Sequence, residues 1–172
     1  LILAGHDQIA QAQTGTGKTA AFVLPMVHHL SQEASPTWKA GTAGAPRALV
    51  LVPTRELALQ VSDALAPLAQ ALDLKVTTVY GGASMGRQID QLRRGVDVVV
   101  ATPGRLQDLI EQRECTLAKL EITVLDEADH MADLGFMPAG TTLLDMTAPG
   151  TQRLLFSATL DRGVDKLVRQ YL

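Results

Sequence analysis

The stretch AQTGTGKTAAF, residues 12–22, sets two glycines, a lysine and a threonine immediately before an apolar run. Gly15 and Gly17 carry no Cβ, so the chain there turns tightly and presents its N–H groups outward. Before it, DQIAQA (Asp7 to Ala12) alternates apolar and polar residues as a short strand does. From Lys18 onward, Ala20, Ala21, Leu24, Val27 and Leu30 fall at helical spacing. A strand, a glycine-rich turn and a helix N-terminus together wrap a phosphate, because the first helical N–H groups are unsatisfied and the helix start is partly positive. In the pattern G-x-x-x-x-G-K-[ST], Ala12 replaces the first glycine. The cradle is then Ala12, Gln13, Thr14, Gly15, Thr16, Gly17, Lys18 and Thr19. Lys18 would reach the β- and γ-phosphates, and the Thr19 hydroxyl would bind Mg²⁺.

The rest of the chain repeats the alternation. ALVLVP (48–53), KVTTVY (75–80), VDVVVA (96–101), EITVLD (121–126) and QRLLFS (152–157) read as strands, several of them apolar on both faces. Helical stretches are expected over Arg55 to Leu72, Ser84 to Arg94, Arg105 to Gln112 and Arg162 to Leu172. This order predicts an α/β domain with an open, mostly parallel sheet and helices on both faces. Residues 31–46 lack periodicity and are expected to form a surface loop, with Trp38 covering a local apolar patch.

At 172 residues and 47% hydrophobic, the chain can build one core of ordinary domain size. A net charge of −3 argues against a binder driven by an overall basic field, though not against a groove made of a few placed groups. Aromatic residues at 3% remove base-stacking platforms. Cys115, the single cysteine, can form neither an internal disulfide nor a zinc site and is expected to be a buried thiol. No apolar run is long enough for a membrane span, and the opening LILAGHDQ reads as the interior of a longer chain.

Ligands in open α/β sheets sit at the carboxyl ends of the strands. Small, hydroxylated or charged residues follow five of them: Thr54 and Arg55, Gly81 and Gly82, Thr102 to Arg105, Asp126 and Glu127, and Ser157 and Thr159. Asp126 stands where a metal-holding carboxylate is needed beside a phosphate loop, and Glu127 can orient or deprotonate an attacking water. The plainer alternatives are an acidic helix start at 126–127, a helix cap at Thr102-Pro103, and a pairing of Arg105 with Asp108 or Glu111 on its own helix.

AQTGTGKT, PTRELALQ, the Gly81-Gly82 pair, TPGRL, DEAD and SAT occur in the order and approximate spacing found in the DEAD-box ATP-dependent RNA helicases. Over nearly its whole length the chain resembles their N-terminal RecA-like P-loop NTPase domain. The resemblance implies ATP and Mg²⁺ as ligands, with residues 12–19 on the phosphates and Lys18, Asp126 and Glu127 in catalysis. Thr19 and Asp126 would hold Mg²⁺, largely through water. Pro53, Thr54, Arg55, Gly81, Gly82, Thr102, Gly104 and Arg105 match segments that grip one RNA strand by its backbone, without reading bases. Asp129 would bond across to Ser157 or Thr159, coupling nucleotide state to RNA grip. Gly135-Phe136 resembles the family's pair after the acidic tetrad, with Phe136 equally suited to the core.

The family's upstream adenine-reading motif would precede residue 1. Gln8, Gln11 and Gln13 lie too close to the loop to replace it. The partner expected besides RNA is a second RecA-like domain of the same chain, whose arginines would complete the hydrolytic site. Such groups contribute roughly 10³ to 10⁵ in rate in related phosphoryl-transfer enzymes, so the segment alone is expected to be monomeric and nearly inactive. A cytoplasmic location and no membrane partner complete the expectation. The other readings are a DNA helicase of the wider superfamily, an RNA clamp or assembly scaffold with little turnover, and an ATP-binding switch unrelated to nucleic acid.

Overall fold

The computed structural model describes residues 2–11, 18–32, 43–161 and 163–172. Six strands form one sheet: β1 (Gln8–Gln11), β2 (Ala48–Leu51), β3 (Val76–Val79), β4 (Val98–Ala101), β5 (Ile122–Leu125) and β6 (Gln152–Ser157). Their order is β1-β6-β5-β2-β4-β3, and every neighbouring pair is parallel. All six lie where the apolar runs place them.

The pleat explains why the central strands are apolar throughout. Leu49, Leu51, Val99, Ala101, Leu125 and Leu155 face one side, and Ala48, Val50, Val98, Val100, Val124 and Leu154 face the other. On the second side lie α1 (Lys18–Gln32) and α2 (Arg55–Ala71), which bury Phe22, Met26, Leu30, Val61 and Leu65. The Phe22 and Phe156 rings meet there at 5.2 Å. The first side is covered by α3 (Met85–Arg93), α4 (Pro103–Glu111), α5 (Ala128–Asp133), α6 (Met137–Asp145) and α7 (Val164–Tyr171). Fully burying a Val or Leu side chain contributes about 1.5–3 kcal/mol, so both layers are needed to offset chain entropy.

Helices α5 and α6 are absent from the sequence expectation. α5 spans 6 residues and buries only Ala128 and Met131, too short a pattern to show helical periodicity. α6 contains Gly140, Thr141 and Thr142, which are weak helix formers. Leu143 and Leu144, packed into the first-side core, hold it instead. Phe136 also packs against that core. α1 continues past its expected end to Gln32, and α4 begins at Pro103 rather than Arg105. Most of the expected 31–46 loop, with Trp38, lies outside the described residues. Cys115 is buried as expected, and burial pushes its thiol up to about 12.

Candidate functional site

The strands end in register at the carboxyl edge: Gln11 pairs with Ser157, Leu125 with Leu155, and Leu51 with both Leu125 and Ala101. The sheet order divides that edge into two halves. β1, β6 and β5 bring the lysine, the Ser-Ala-Thr segment and the acidic pair together. β2, β4 and β3 bring the threonines, glycines and arginines together.

In the first half, Ala12 to Gly17 lie outside the described residues. Lys18 and Thr19 open α1, whose first-turn N–H groups have no intrahelical acceptor. Lys18 Nζ lies 2.9 Å from Asp126 Oδ1 and 3.9 Å from Glu127 Oε1. Asp126 is 0% exposed, and its N–H donates to Leu51 O at 2.9 Å, extending the β5–β2 ladder by one residue. Burial pushes its carboxyl up from the usual value, while Lys18 pulls the other way. Apart from that ion-pair contact, neither carboxylate oxygen receives an aligned side-chain or backbone hydrogen bond from the described residues. A buried carboxylate with Oδ1 against Lys18 and Oδ2 without a partner among the described residues suits a further cation or its waters. Mg²⁺, a hard ion with oxygen ligands, fits that donor set.

Glu127 adopts the left-handed region, φ 52° and ψ 53°, at the N-terminus of α5. For a residue with a Cβ this costs of order 1–3 kcal/mol. It is the N-cap of α5 but makes no side-chain capping bond, so the acidic helix start at 126–127 is present and acts there through charge alone. Its carboxylate instead faces Lys18, with His130 Nδ1 at 3.5 Å from Oε2.

The expected pairing of Asp129 with the Ser-Ala-Thr segment exists in corrected form. The Asp129 backbone N–H, not its carboxylate, bonds to Ser157 Oγ at 3.1 Å. Ser157 Oγ–H in turn donates to Thr159 O, and Thr159 Oγ1 is buried with no hydrogen-bond partner among the described residues. Asp129 is half-buried in the first turn of α5, where the amide has no acceptor within the helix and takes one from the end of β6. Gln11, which the sequence reading set aside, donates from Nε2 to Ala158 O at 3.2 Å. The segment between β6 and α7 is thereby tied to β1 as well as to α5. The register of Gln11 with Ser157 explains this contact, and spacing along the chain carries no sign of it.

In the second half, Pro53 is buried and Thr54 caps α2 by accepting from Leu57 N–H at 3.2 Å. The Thr54 hydroxyl proton is still available to a ligand. Thr102 occupies the equivalent position ahead of Pro103 on α4 and makes no side-chain cap bond. Arg55 is exposed, its guanidinium 5.1 Å from the centre of the Tyr80 ring. Gly81, Gly82 and Gly104 are exposed, with nothing within 4 Å of where a Cβ would stand. Gly82 holds φ +78°, a turn conformation that L side chains rarely adopt. Arg105 Nη1 donates to Ala83 O at 3.0 Å and to Gln88 Oε1 at 3.2 Å, and it pairs with neither Asp108 nor Glu111. Tyr80 and Gln88 were not among the expected site residues. The available signal was a glutamine on the apolar stripe of α3, four residues before Leu92.

Known proteins share this arrangement. The DEAD/DEAH box helicase family model matches residues 1–167. The chain is 45% identical to the RNA helicase CrhR of Synechocystis sp. over 100% of its own length and 33% of that protein. It is 44% identical to a pre-mRNA-processing ATP-dependent RNA helicase PRP5 of Lodderomyces elongisporus, again over 100% of the chain but 17% of the relative. It thus spans a third or less of the length of these curated relatives. A crystal structure described as a hypothetical ATP-dependent RNA helicase from Sulfolobus tokodaii superposes with a TM-score of 0.87 at 35% identity, covering all of this chain and 47% of that one. The fold is that of a RecA-like helicase domain. Since the family match runs through nearly every residue that builds the carboxyl edge, the chain belongs to the DEAD/DEAH box helicase family.

Proposed function

We propose that this domain binds and hydrolyses ATP and grips one RNA strand by its sugar-phosphate backbone, as the N-terminal half of an ATP-dependent RNA helicase. The observation that carries the reading is Lys18 Nζ at 2.9 Å from the buried Asp126, two groups 108 residues apart in sequence. A phosphate between the loop and α1 would share Lys18 with Asp126. ATP is the substrate. The oxygen of water forms a bond to the γ-phosphorus, the bond from that phosphorus to the β–γ bridging oxygen breaks, and ADP and phosphate leave. Lys18 would bind β- and γ-phosphate oxygens, and the sequence of Ala12 to Gly17 matches the loop pattern whose N–H groups surround them. Glu127, held in its left-handed turn beside Lys18, is placed to orient the water and accept its proton. Thr19 and Asp126 would hold Mg²⁺, largely through water; when bound, the ion supplies charge neutralisation at the phosphate oxygens.

Thr54, Arg55, Thr102 and Arg105, with the open backbone at Gly81, Gly82 and Gly104, suit phosphate oxygens and carry no base information. The relatives described above are named RNA helicases, which favours RNA over DNA. A second RecA-like domain of the same protein is the proposed partner that completes the hydrolytic site. A cytoplasmic location belongs to the same proposal and is tested by cell fractionation. The deciding experiment measures ATP hydrolysis by the full-length protein, alone and with single-stranded RNA or DNA. RNA-stimulated turnover that Glu127→Gln abolishes supports the reading. Binding without turnover would make the protein an RNA clamp, and equal stimulation by DNA would make it a general helicase.

A further inference from the structure

We propose that Gln88 is a positioning residue for the RNA grip, holding Arg105 and the Tyr80–Gly82 turn in one fixed relation. The proposal rests on the RNA-backbone reading above. Gln88 is 5% exposed on α3, where an apolar residue would pack as well. Both ends of its amide are used. Nε2 donates to Tyr80 O at 3.0 Å, and Oε1 accepts from Arg105 Nη1 at 3.2 Å.

These two bonds join segments that reach the edge separately. Tyr80 directly follows β3, leads into Gly81-Gly82, and lies under the Arg55 guanidinium at 5.1 Å. Arg105 belongs to the first turn of α4. Its Nη1 carries two hydrogens, and Ala83 O at 3.0 Å takes the one that Gln88 does not. Nη2 and Nε make no hydrogen bond to the described residues, so one side of the fork is held and the other is left for a ligand. A side chain ordered in advance loses less conformational freedom on binding, which is how preorganisation raises affinity.

The uncharged amide of Gln88 meets both requirements, one atom donating and the other accepting. A carboxylate at 88 would accept from Arg105 but could not donate to Tyr80 O, and it would cancel the charge meant for phosphate. An apolar side chain would leave the Tyr80 carbonyl without its donor.

The test uses the full-length protein with a non-hydrolysable ATP analogue, titrating single-stranded RNA oligonucleotides across a salt series by fluorescence anisotropy. The variants are Gln88→Met, Arg105→Ala and the double variant. Gln88→Met is expected to weaken binding about three- to tenfold, the value of one ordinary hydrogen bond. The salt slope should become shallower, by up to the roughly 0.7 lost with one phosphate contact. In the Arg105→Ala background, Gln88→Met should change affinity less than about twofold, because its effect travels through Arg105. Gln88→Asn, one methylene too short to span both partners, should behave alike and carries the test if Gln88→Met fails to fold. Should Arg105→Ala weaken binding while both Gln88 variants bind as the parent does, or lose equally in either background, the positioning role is wrong and the RNA grip stands. If Arg105→Ala changes neither affinity nor slope, the grip itself is wrong, and the role of Gln88 falls with it.

Discussion

The backbone N–H of Asp129 donates to the Ser157 hydroxyl at 3.1 Å, joining the start of α5 to the end of β6. Because the amide supplies the bond, side-chain replacement at Asp129 leaves it intact, while replacement at Ser157 removes it. Ser157→Ala strands a partly buried N–H and should lower stability by about 1 kcal/mol. In the full-length protein it should reduce strand displacement more than phosphate release, since it releases the segment between β6 and α7 from the helix that follows the acidic pair. Asp129→Asn should retain stability. Parallel strand-displacement and phosphate-release assays with urea unfolding check this; equal loss of both activities in Ser157→Ala would make the bond purely structural.

Lys18→Ala should abolish measurable ADP·Mg²⁺ binding by isothermal calorimetry, because the cation facing Asp126 is also the one placed for phosphate. Asp126→Asn should leave weaker ADP affinity that no longer depends on Mg²⁺. Unchanged ADP affinity in Lys18→Ala would overturn the nucleotide site.

Thr54 and Thr102 occupy equivalent helix starts and differ in how the hydroxyl is used. Thr54→Val removes a cap and should cost about 1 kcal/mol in urea unfolding. Thr102→Val removes no cap bond and should cost under about 0.5 kcal/mol. Both should weaken RNA binding. A Thr102→Val variant with unchanged RNA affinity would remove Thr102 from the grip.

At the opposite edge of the sheet, Glu121 binds the 1% exposed Arg47 through Nε and, at 3.2 Å, Nη2, with His29 Nε2 3.4 Å away. Burial would raise the Glu121 carboxyl, but His29 and Arg47 outweigh it and bring it down to about 2. A depressed folded value, against about 4.3 in the unfolded chain, makes the unfolded state bind protons first. The contribution is therefore complete above about pH 4.5 and is lost as pH falls toward about 2. Glu121→Gln should destabilise the protein at neutral pH. Its deficit relative to the parent should shrink as urea unfolding is repeated from about pH 6 to about pH 3. A constant deficit would show that the ion pair does not titrate in that window.

The sequence alone determined the parallel α/β fold, because strands buried on both faces must be apolar at every position, as ALVL at 48–51 and VVVA at 98–101 are. It also carried the proposed chemistry, because a glycine-rich loop pattern and a strand-end acidic pair are local signals of composition, charge and spacing. The sequence carried no signal for α5 and α6, whose short segments are helical because Met131, Leu143 and Leu144 find a core. Tertiary structure alone decided which strand ends are neighbours, dividing the edge into an acid–lysine half and an arginine–threonine half. It also decided that Asp129 bonds through its amide, that Gln11 grips Ala158, and that Gln88 joins Tyr80 to Arg105. These contacts depend on sheet order and register, and residues 8 to 147 positions apart have no local pattern that announces their meeting.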